Sequence, residues 1–215
     1  NFYQRERQKV DASSNGLKAI SRLHKVTLKN LKLATTYSYR IYSREINNGV
    51  WGKTVATRVY KNEPLHFSTL DSDNKEISCI VLSDMHTNAA KTGSLLQGVK
   101  WEQTDFVIFN GDFLGSFNDE KDLYNGVLDT SVAMFAQEKP LYLVRGNHET
   151  RGKKARELAD YFSFPNNKYY YTFSSGSTYF IVLDSGEDKP DSDMEYNGLA
   201  DFDSYREEQA KWLAN

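Results

Sequence analysis

The sequence ISCIVLSDMHTN, residues 77–88, joins a short apolar run to a polar end. Its first part, ISCIVLS, is too short for a helix and apolar on both faces, which is typical of a strand inside a parallel or mixed sheet. Two further runs have the same character, FVIFN at 106–110 and PLYLV at 140–144. Helical patterns lie between the runs, at about 89–101 and 121–137. The order strand, helix, strand, helix, strand predicts an α/β architecture.

Each of the three runs ends in polar residues, which read SDMHTN, NGDFLG and RGNHET. In open α/β sheets, ligands bind beyond the carboxyl ends of the strands. Asp84 and His86 are two residues apart, so their side chains leave a strand on the same face and can meet one metal ion. Asp112 can bridge two ions, and the neighbours Asn147 and His148 must point apart, one toward a metal and the other toward the substrate. Oxygen and imidazole ligands without thiolate suit Mn²⁺, Fe, Zn²⁺ or Ni²⁺.

Each motif alone has an ordinary structural explanation. An Asp-x-His sequence can be a helix N-cap with a nearby histidine, and a Gly-Asp sequence after a strand is commonly a turn. The three motifs, however, follow consecutive strands and are separated by one βα unit each. Their combination therefore favours a metal site over three unrelated turns.

Composition and charge limit the classes of function. The chain has 215 residues and a net charge of −2, enough for one large domain or two small ones. No apolar run approaches the roughly 20 residues that a membrane span needs. Cys79 is the one cysteine, which excludes an intrachain disulfide and a thiolate metal cluster. Residues 1–70 contain 13 Lys and Arg against 4 Asp and Glu, and the remainder is acidic, so we expect two domains.

The basic part of the chain reads as short strands. HKVTLKNL (24–31), YSYRIYS (37–43) and GVWGKTVATRVY (49–60) alternate in side-chain type. This part lacks a dense Lys/Arg block with stacking aromatics, so there is no specific signal for nucleic-acid binding. We interpret it as a solvated basic face that can dock on the acidic part.

The stretch LKLATTYSYRI resembles the tyrosine-corner region of fibronectin type III domains, with Leu31, Thr35 and Tyr37 in matching places and Ala34 where Gly is usual. In such a corner the tyrosine hydroxyl bonds backward to the backbone. The resemblance implies a small all-β fibronectin-like sandwich over residues 1–70, incomplete at its N-terminus because about seven strands are needed. A domain of this kind favours an extracytoplasmic location, periplasmic or secreted.

The pattern DMH…GD…GNHE resembles the calcineurin-like metallophosphoesterase superfamily, and the resemblance spans residues 77–215. It implies a four-layer-type metallophosphoesterase core over residues 75–215 that is incomplete, following the fibronectin-like sandwich. The layout is also similar to purple acid phosphatases. Those enzymes usually have Tyr where Gly115 stands and lack a His at position 86, so a tyrosinate-coloured iron site is not expected.

The resemblance also implies the ligands of two divalent metal ions. Asp84 and His86 would hold the first ion, Asp112 would bridge, and Asn147 would bind the second ion through its amide oxygen. Such a pair lowers the pKa of a shared water and clamps the phosphoryl oxygens of the substrate. The implied reaction is hydrolysis of a phosphate monoester or diester, with a phosphorylated small molecule as substrate.

The resemblance gives the residues after Asn147 different roles. His148 would donate a proton to the leaving oxygen or stabilise its charge, and Glu149 would orient its imidazole. Arg145 would either help to hold phosphate or pack against the turn.

Other parts of the sequence qualify this interpretation. The chain has four histidines and none after position 148, so the family's later histidines are absent, and we expect a fragment missing both ends. The second ion would then be poorly held. The stretch KYYYTFSSGSTYFIVLDSG (168–186) predicts a hairpin, SYREEQAKWLA predicts a helix, and the acidic stretch that begins at DSGEDKP predicts a solvated surface loop. The alternative function is a non-enzymatic surface-binding or adhesion protein with a degraded phosphoesterase scaffold. The oligomeric state is left open.

Overall fold

The computed structural model describes residues 13–14, 17–18, 23–43 and 58–214. Its strands, in chain order, are β1 (Ser13–Ser14), β2 (Leu17–Lys18), β3 (Thr36–Tyr39), β4 (Tyr42–Ser43), β5 (Arg58–Val59), β6 (Leu65–Ser68), β7 (Cys79–Leu82), β8 (Phe106–Asn110), β9 (Leu141–Val144), β10 (Tyr171–Ser175) and β11 (Thr178–Val182). Its α-helices are α1 (Ala89–Leu96), α2 (Glu120–Leu123), α3 (Asp129–Met134), α4 (Leu158–Tyr161) and α5 (Phe202–Leu213). No helix among the described residues combines the length and the apolar character that crossing a bilayer requires.

The three apolar runs form a parallel sheet in the order β7-β8-β9, which confirms the α/β architecture. The register pairs Leu82 with Phe109 and Phe109 with Leu143, so the carboxyl ends of the strands lie at one edge of the sheet. β8 is the central strand and is almost completely buried. The expectation that all three strands are equally enclosed is wrong for β7, where Val81 is 54% exposed because β7 lies at the side of this sheet.

The two faces of the sheet are covered differently. On one face, Phe109 packs against Phe113 and Phe135 in a buried cluster that includes Leu96 of α1. On the other face, Phe106 contacts Phe173 and Phe180 of the hairpin β10–β11. The predicted hairpin is therefore confirmed, and it packs on the sheet.

Both predicted helices differ in extent from the sequence interpretation. α1 begins after Asn88, whose side chain accepts a hydrogen bond from the amide of Lys91, and it ends at Leu96 rather than near residue 101. The predicted helix at 121–137 is broken into α2, a π-helical segment Tyr124–Leu128 and α3. The π-helical segment contains Gly126, where a Cβ would collide with the Thr87 side chain, so the helix passes close to the loop after β7 at the position of the break. The predicted C-terminal helix is present as α5.

The N-terminal region contains short antiparallel pairs, β3 with β6 and β4 with β5. The prediction of a strand at 24–31 is wrong, because this segment has no ladder partner among the described residues and leaves Val26 54% exposed. Most of the predicted strand at 49–60 lies outside the described residues. Tyr37 does accept a hydrogen bond on its hydroxyl from the amide of Lys32, which is the backward contact expected of a tyrosine corner. The fibronectin-like sandwich and the division at residues 70–75 stay predictions.

Four hydrogen bonds, donated by three of the described residues, join this region to the α/β part of the chain. The Tyr39 hydroxyl donates to the carbonyl of Gln137, and the amide of His66 donates to the carboxylate of Glu138 at 3.3 Å. Lys25 donates to the carbonyls of Ala159 and Phe162 at the end of α4. The β segments of the N-terminal region therefore lie against the loop before β9.

Candidate metal centre

Three residues at the strand ends have left-handed backbone conformations. Asp84, His86 and Asp112 have φ angles of 57°, 50° and 51°. The amide of Asp84 donates to the carbonyl of Gly111 at 3.3 Å, and the amide of His86 donates to the carbonyl of Asp112 at 3.0 Å. Residues without glycine's freedom adopt this conformation at a cost in free energy, and such residues cluster at functional sites. The two loops therefore hold each other in the geometry that presents these three side chains.

Two glycines allow the second and third strand ends to approach each other. Gly111 has a φ of 82°, and a Cβ on it would lie 3.2 Å from the Cα of Gly146. A Cβ on Gly146 would in turn collide with the Oδ1 atom of Asp112. Gly111 precedes Asp112, and Gly146 precedes Asn147. Both positions require glycine because the two loops are in close contact.

The first set of candidate ligands converges at His86. Its Nε2 atom lies 3.8 Å from Oδ1 of Asp84 and 3.8 Å from Oδ2 of Asp112. Donor atoms of His86, Asp112 and His148 all lie within 4.8 Å of one another. Two atoms that bind one ion at about 2.1 Å each are at most about 4.2 Å apart, so His86 can share a cation with Asp84 or with Asp112. Among the described residues, the set of three whose donor atoms lie together is His86, Asp112 and His148, and it does not include Asp84. These are oxygen and imidazole ligands, as the sequence predicts.

Asn147 faces Asp112 from the other side, and its amide group has two orientations. In one, Nδ2 donates to both carboxylate oxygens of Asp112 at 3.2 Å and Oδ1 accepts from Arg151 Nη2 at 2.7 Å. In the other, the amide oxygen faces the carboxylate and Nδ2 donates to Glu187 Oε2 at 3.4 Å. Two acceptors that face each other need a cation between them, so the second orientation suits a metal ligand. Asp112 therefore stands between His86 and Asn147, where a bridging ligand would be.

The hydrogen bonds of the Glu149 side chain differ from those expected from the sequence. This residue is fully buried, and its carboxylate accepts from the amides of Asp112 at 2.9 Å, Leu114 at 2.6 Å and Gly146 at 2.8 Å. Burial raises the pKa of Glu149, and these hydrogen bonds only partly offset that effect. The expected orientation of His148 by Glu149 is thus corrected, because the carboxylate turns inward and holds the two loops together.

The backbone carbonyl of Gly115 contacts the imidazole of His148 instead. His148 Nδ1 lies 2.8 Å from this oxygen, and His148 Nε2 lies 3.3 Å from Nη1 of Arg151. A carbonyl can only accept, so we assign the proton of the neutral ring to Nδ1, which leaves the lone pair on Nε2. The rings of His148 and His86 are stacked with centroids 4.4 Å apart, which places His148 beside the candidate ligands.

Of the two roles considered for Arg145, the structure supports packing. Its Nε atom donates to Oδ2 of Asp184 at 2.6 Å, and its guanidinium lies 4.1 Å from the centre of the Tyr169 ring. Gln209 of α5 fixes the same aspartate, because its amide accepts from the Asp184 nitrogen at 2.8 Å and donates to the Asp184 carbonyl at 2.6 Å. Arg145 therefore secures the segment that follows β11.

That segment lines the candidate site, which the sequence interpretation did not anticipate. A cavity of about 210 Å³ lies among the strand ends. Its walls include Asp84, Asn110, Gly111, Asp112, Gly146, Asn147, Ser185, Gly186, Glu187 and Asp188. The start of the acidic stretch is therefore a wall of the cavity, with Gly186 and Glu187 buried, and Asp188 beside them is exposed, as expected of a surface loop near the mouth of the site. One signal was present in the sequence: the apolar run YFIVL is also followed by polar residues, DSGE, as in the other three cases.

Glu187 and Arg151 are the functional candidates that sequence reasoning missed. Glu187 is 8% exposed and forms a paired contact with Arg151, with Nε donating to Oε1 at 2.9 Å and Nη2 donating to Oε2 at 2.8 Å. Burial raises the pKa of Glu187, but hydrogen bonds from Arg151 and Thr150 outweigh it and lower the pKa to about 2. The same pairing raises the pKa of Arg151. Both side chains are therefore charged at neutral pH.

The structure brings together all six predicted site residues. Asp84, His86, Asp112, Asn147 and His148 surround one region at the strand ends, and Glu149 lies behind them in the core. This is the place where open α/β sheets bind ligands.

Comparisons with known proteins agree with this arrangement. Residues 77–215 match the family model described as calcineurin-like phosphoesterase. No curated protein matches the chain. Among solved structures, the chain is similar to the purple acid phosphatase PPD1 isolated from yellow lupin (Lupinus luteus) seeds, with 18% identity and a TM-score of 0.57. The match covers 80% of this chain and 34% of that one, so the chain spans about a third of the length of the lupin protein. At this identity the likeness concerns the fold, whereas the family model covers more than half of the chain: the chain belongs to the calcineurin-like phosphoesterase family.

Proposed function

We propose that the protein hydrolyses a phosphate monoester or diester of a small molecule at a dinuclear metal centre. The observation that carries the proposal is the position of Asp112 between His86 and Asn147 at the ends of parallel strands. Membership of the calcineurin-like phosphoesterase family supports the same reaction class.

Asp84 and His86 would hold one divalent ion, Asn147 the other, and Asp112 both. The donor set suits Mn, Fe, Zn or Ni. When bound, such ions lower the pKa of a water molecule and stabilise charge on phosphoryl oxygens. The left-handed backbone at Asp84, His86 and Asp112 holds these donors in place before any ligand arrives.

His148 is the group placed to move a proton. The Gly115 carbonyl holds the ring through Nδ1, so Nε2 is the atom that can carry a proton to a leaving oxygen. Glu149 acts on the site indirectly, because its carboxylate fixes the backbone of Asp112 and Gly146. Neither residue needs to move for these tasks.

The test of the proposal is an Asp112→Asn variant, which keeps the side-chain shape but weakens a charged ligand. We expect the unmodified protein to retain Mn²⁺ and to hydrolyse p-nitrophenyl phosphate or its bis ester, with both activities lost on chelation. The variant should lose most of its metal, measured by mass spectrometry of the eluted ions, and at least about 100-fold in turnover.

Two further variants make the result specific. Asp129→Asn removes an equal charge from the exposed first turn of α3 and should change neither metal content nor turnover. His148→Ala should lose turnover and keep its metal, which separates proton transfer from ligation. Metal-loaded protein that hydrolyses neither ester would contradict the proposal and favour a non-enzymatic role. Full metal content in the Asp112 variant would contradict the bridge.

A further inference from the structure

We propose that Arg151, held in place by Glu187, binds a phosphoryl oxygen of the substrate beside His148. The proposal rests on the proposed function, since it assigns a substrate-binding residue to the same site. It takes its evidence from the geometry of the guanidinium, from its exposure and from the balance of charge around the cavity.

Glu187 fixes the plane of the guanidinium. It accepts from Nε and Nη2 of Arg151 in a paired contact, and the Thr150 hydroxyl donates to the same carboxylate at 2.7 Å. Paired contacts of this kind restrict an arginine far more than a single hydrogen bond does. The carboxylate side chain is 5% exposed, so the arrangement is built into the wall of the cavity.

The opposite side of the guanidinium points toward the reacting groups. Nη1 lies 3.3 Å from His148 Nε2. The Arg151 side chain is 39% exposed although its partner Glu187 is nearly enclosed. A guanidinium has five N–H donors, and Glu187 occupies two of them. Donors therefore remain on the side that faces His148, where they can meet an oxygen of a bound phosphate.

The negative charge around the cavity means that an anionic substrate needs a cationic group to bind it. The walls carry the carboxylates of Asp84, Asp112, Glu187 and Asp188, and a phosphate ester is also an anion. Two other cations among the described residues nearby are engaged elsewhere. The Lys91 ammonium donates to the carbonyl of Asp84 at 2.7 Å, and Arg145 pairs with the buried Asp184. Arg151 is thus a cation with donors that face His148, beside the candidate metal ligands.

The experiment measures binding of inorganic phosphate to the Mn²⁺-loaded protein by titration calorimetry, with metal content determined in parallel. We expect Arg151→Gln to lower the affinity for phosphate about 10- to 100-fold, because the variant loses a charge-assisted hydrogen bond. Arg151→Lys should fall between, because it keeps the charge but cannot form the paired contact. Arg156→Gln, which removes an exposed arginine of the 3₁₀ segment Ala155–Glu157, should bind phosphate as the unmodified protein does.

Glu187→Gln tests the positioning role separately. We expect weaker phosphate binding and a raised KM for p-nitrophenyl phosphate with a smaller change in kcat, because a loosened guanidinium affects binding of the anion first. Equal phosphate affinity in the Glu187 variant would overturn its positioning role.

Equal affinity in a folded, metal-loaded Arg151→Gln protein would overturn the inference, as would failure of the unmodified protein to bind phosphate at millimolar concentration. The binding of inorganic phosphate is measured without hydrolysis of any ester. Protein that binds phosphate through Arg151 and hydrolyses neither ester would therefore refute the proposed function and support this inference.

Discussion

The buried carboxylate of Glu149 connects the second and third strand ends. Its two oxygens accept three backbone amides, from Asp112, Leu114 and Gly146, and no part of the residue is exposed. The loops that carry Asp112 and Asn147 are therefore held to a common acceptor. Loss of this acceptor would leave amide donors buried without partners.

We expect Glu149→Gln to lower the free energy of unfolding by about 2–4 kcal/mol, because the new amide nitrogen must face backbone donors. Urea unfolding measures the change. Glu102→Gln is the matched control: Glu102 is exposed in the 3₁₀ segment Trp101–Gln103, and its replacement should alter stability by no more than about 0.5 kcal/mol. A Glu149 variant as stable as this control would mean that the carboxylate is dispensable.

At the scale of residues, the sequence was sufficient to identify the candidate ligands and insufficient to assign their neighbours. Asp84, Asp112 and Asn147 follow apolar strands of the parallel sheet, and the rule for open sheets places such residues at one edge. Glu149 stands in a 3₁₀ segment, His148–Thr150, and the direction of its side chain depends on amides 35–37 residues earlier in the chain. No local pattern contains that information.

At the scale of elements, the parallel strands and the hairpin were predictable because each is a short apolar run between polar residues. The helix at 121–137 was not, because its π-helical break lies where Gly126 passes close to Thr87, a contact between residues 39 apart in the chain. The strand at 24–31 failed for a related reason. Alternating side chains make a strand only where another strand offers hydrogen bonds, and none does so among the described residues.

One tyrosine links the hairpin to the parallel sheet. The hydroxyl of Tyr171 in β10 donates to the carbonyl of Leu143 in β9 at 2.9 Å, and the residue is 6% exposed. Burial raises the pKa of Tyr171 to about 12, despite the opposing effect of this hydrogen bond. An unfolded tyrosine ionises near pH 10, so the folded state holds its proton over a wider range of pH.

The sign of the pH effect follows from this difference. The contribution of Tyr171 to stability is complete below pH 10 and is lost as the pH rises toward 12, by about 1.4 kcal/mol at pH 11. Between pH 8 and pH 11, guanidinium unfolding should show a loss about 1.4 kcal/mol smaller in Tyr171→Phe than in the unmodified protein, because other tyrosines with raised pKa values, such as Tyr205, contribute equally to both. Tyr179→Phe, at an exposed position of β11, should keep the pH dependence of the unmodified protein. An unchanged alkaline dependence in the Tyr171 variant would contradict the assignment.

At the scale of the whole molecule, the acidic wall of the cavity was the hardest feature to predict. Arg151 and Glu187 are 36 residues apart in sequence and meet because β11 returns the chain to the strand ends. The acidic composition of the loop indicated solvent exposure, and the short distance to Arg151 became visible only with the fold. Association of the basic N-terminal region with the rest of the chain was predicted from charge, yet the contacts of Tyr39 and Lys25 end on backbone carbonyls.

The contact of Tyr39 with Gln137 gives a test of that association. Burial, together with the nearby Glu138, raises the pKa of Tyr39, as expected for a phenol enclosed at a contact. We expect Tyr39→Phe to lower stability by about 1 kcal/mol and to speed amide exchange in β3 and β6, because one hydrogen bond is lost. Tyr42→Phe, at a position 63% exposed, should leave both measurements unchanged. Slow exchange retained in β3 and β6 of the Tyr39 variant would show that other contacts dominate.

The double hydrogen bond between Gln209 and the backbone of Asp184 links a remote helix to the mouth of the cavity. Since Glu187 follows three residues later, a sideways shift of α5 would draw the chain at 184–188 with it and change the width of the opening. Replacements on the outer surface of that helix are therefore expected to change the opening of the cavity while leaving the cavity walls themselves unchanged.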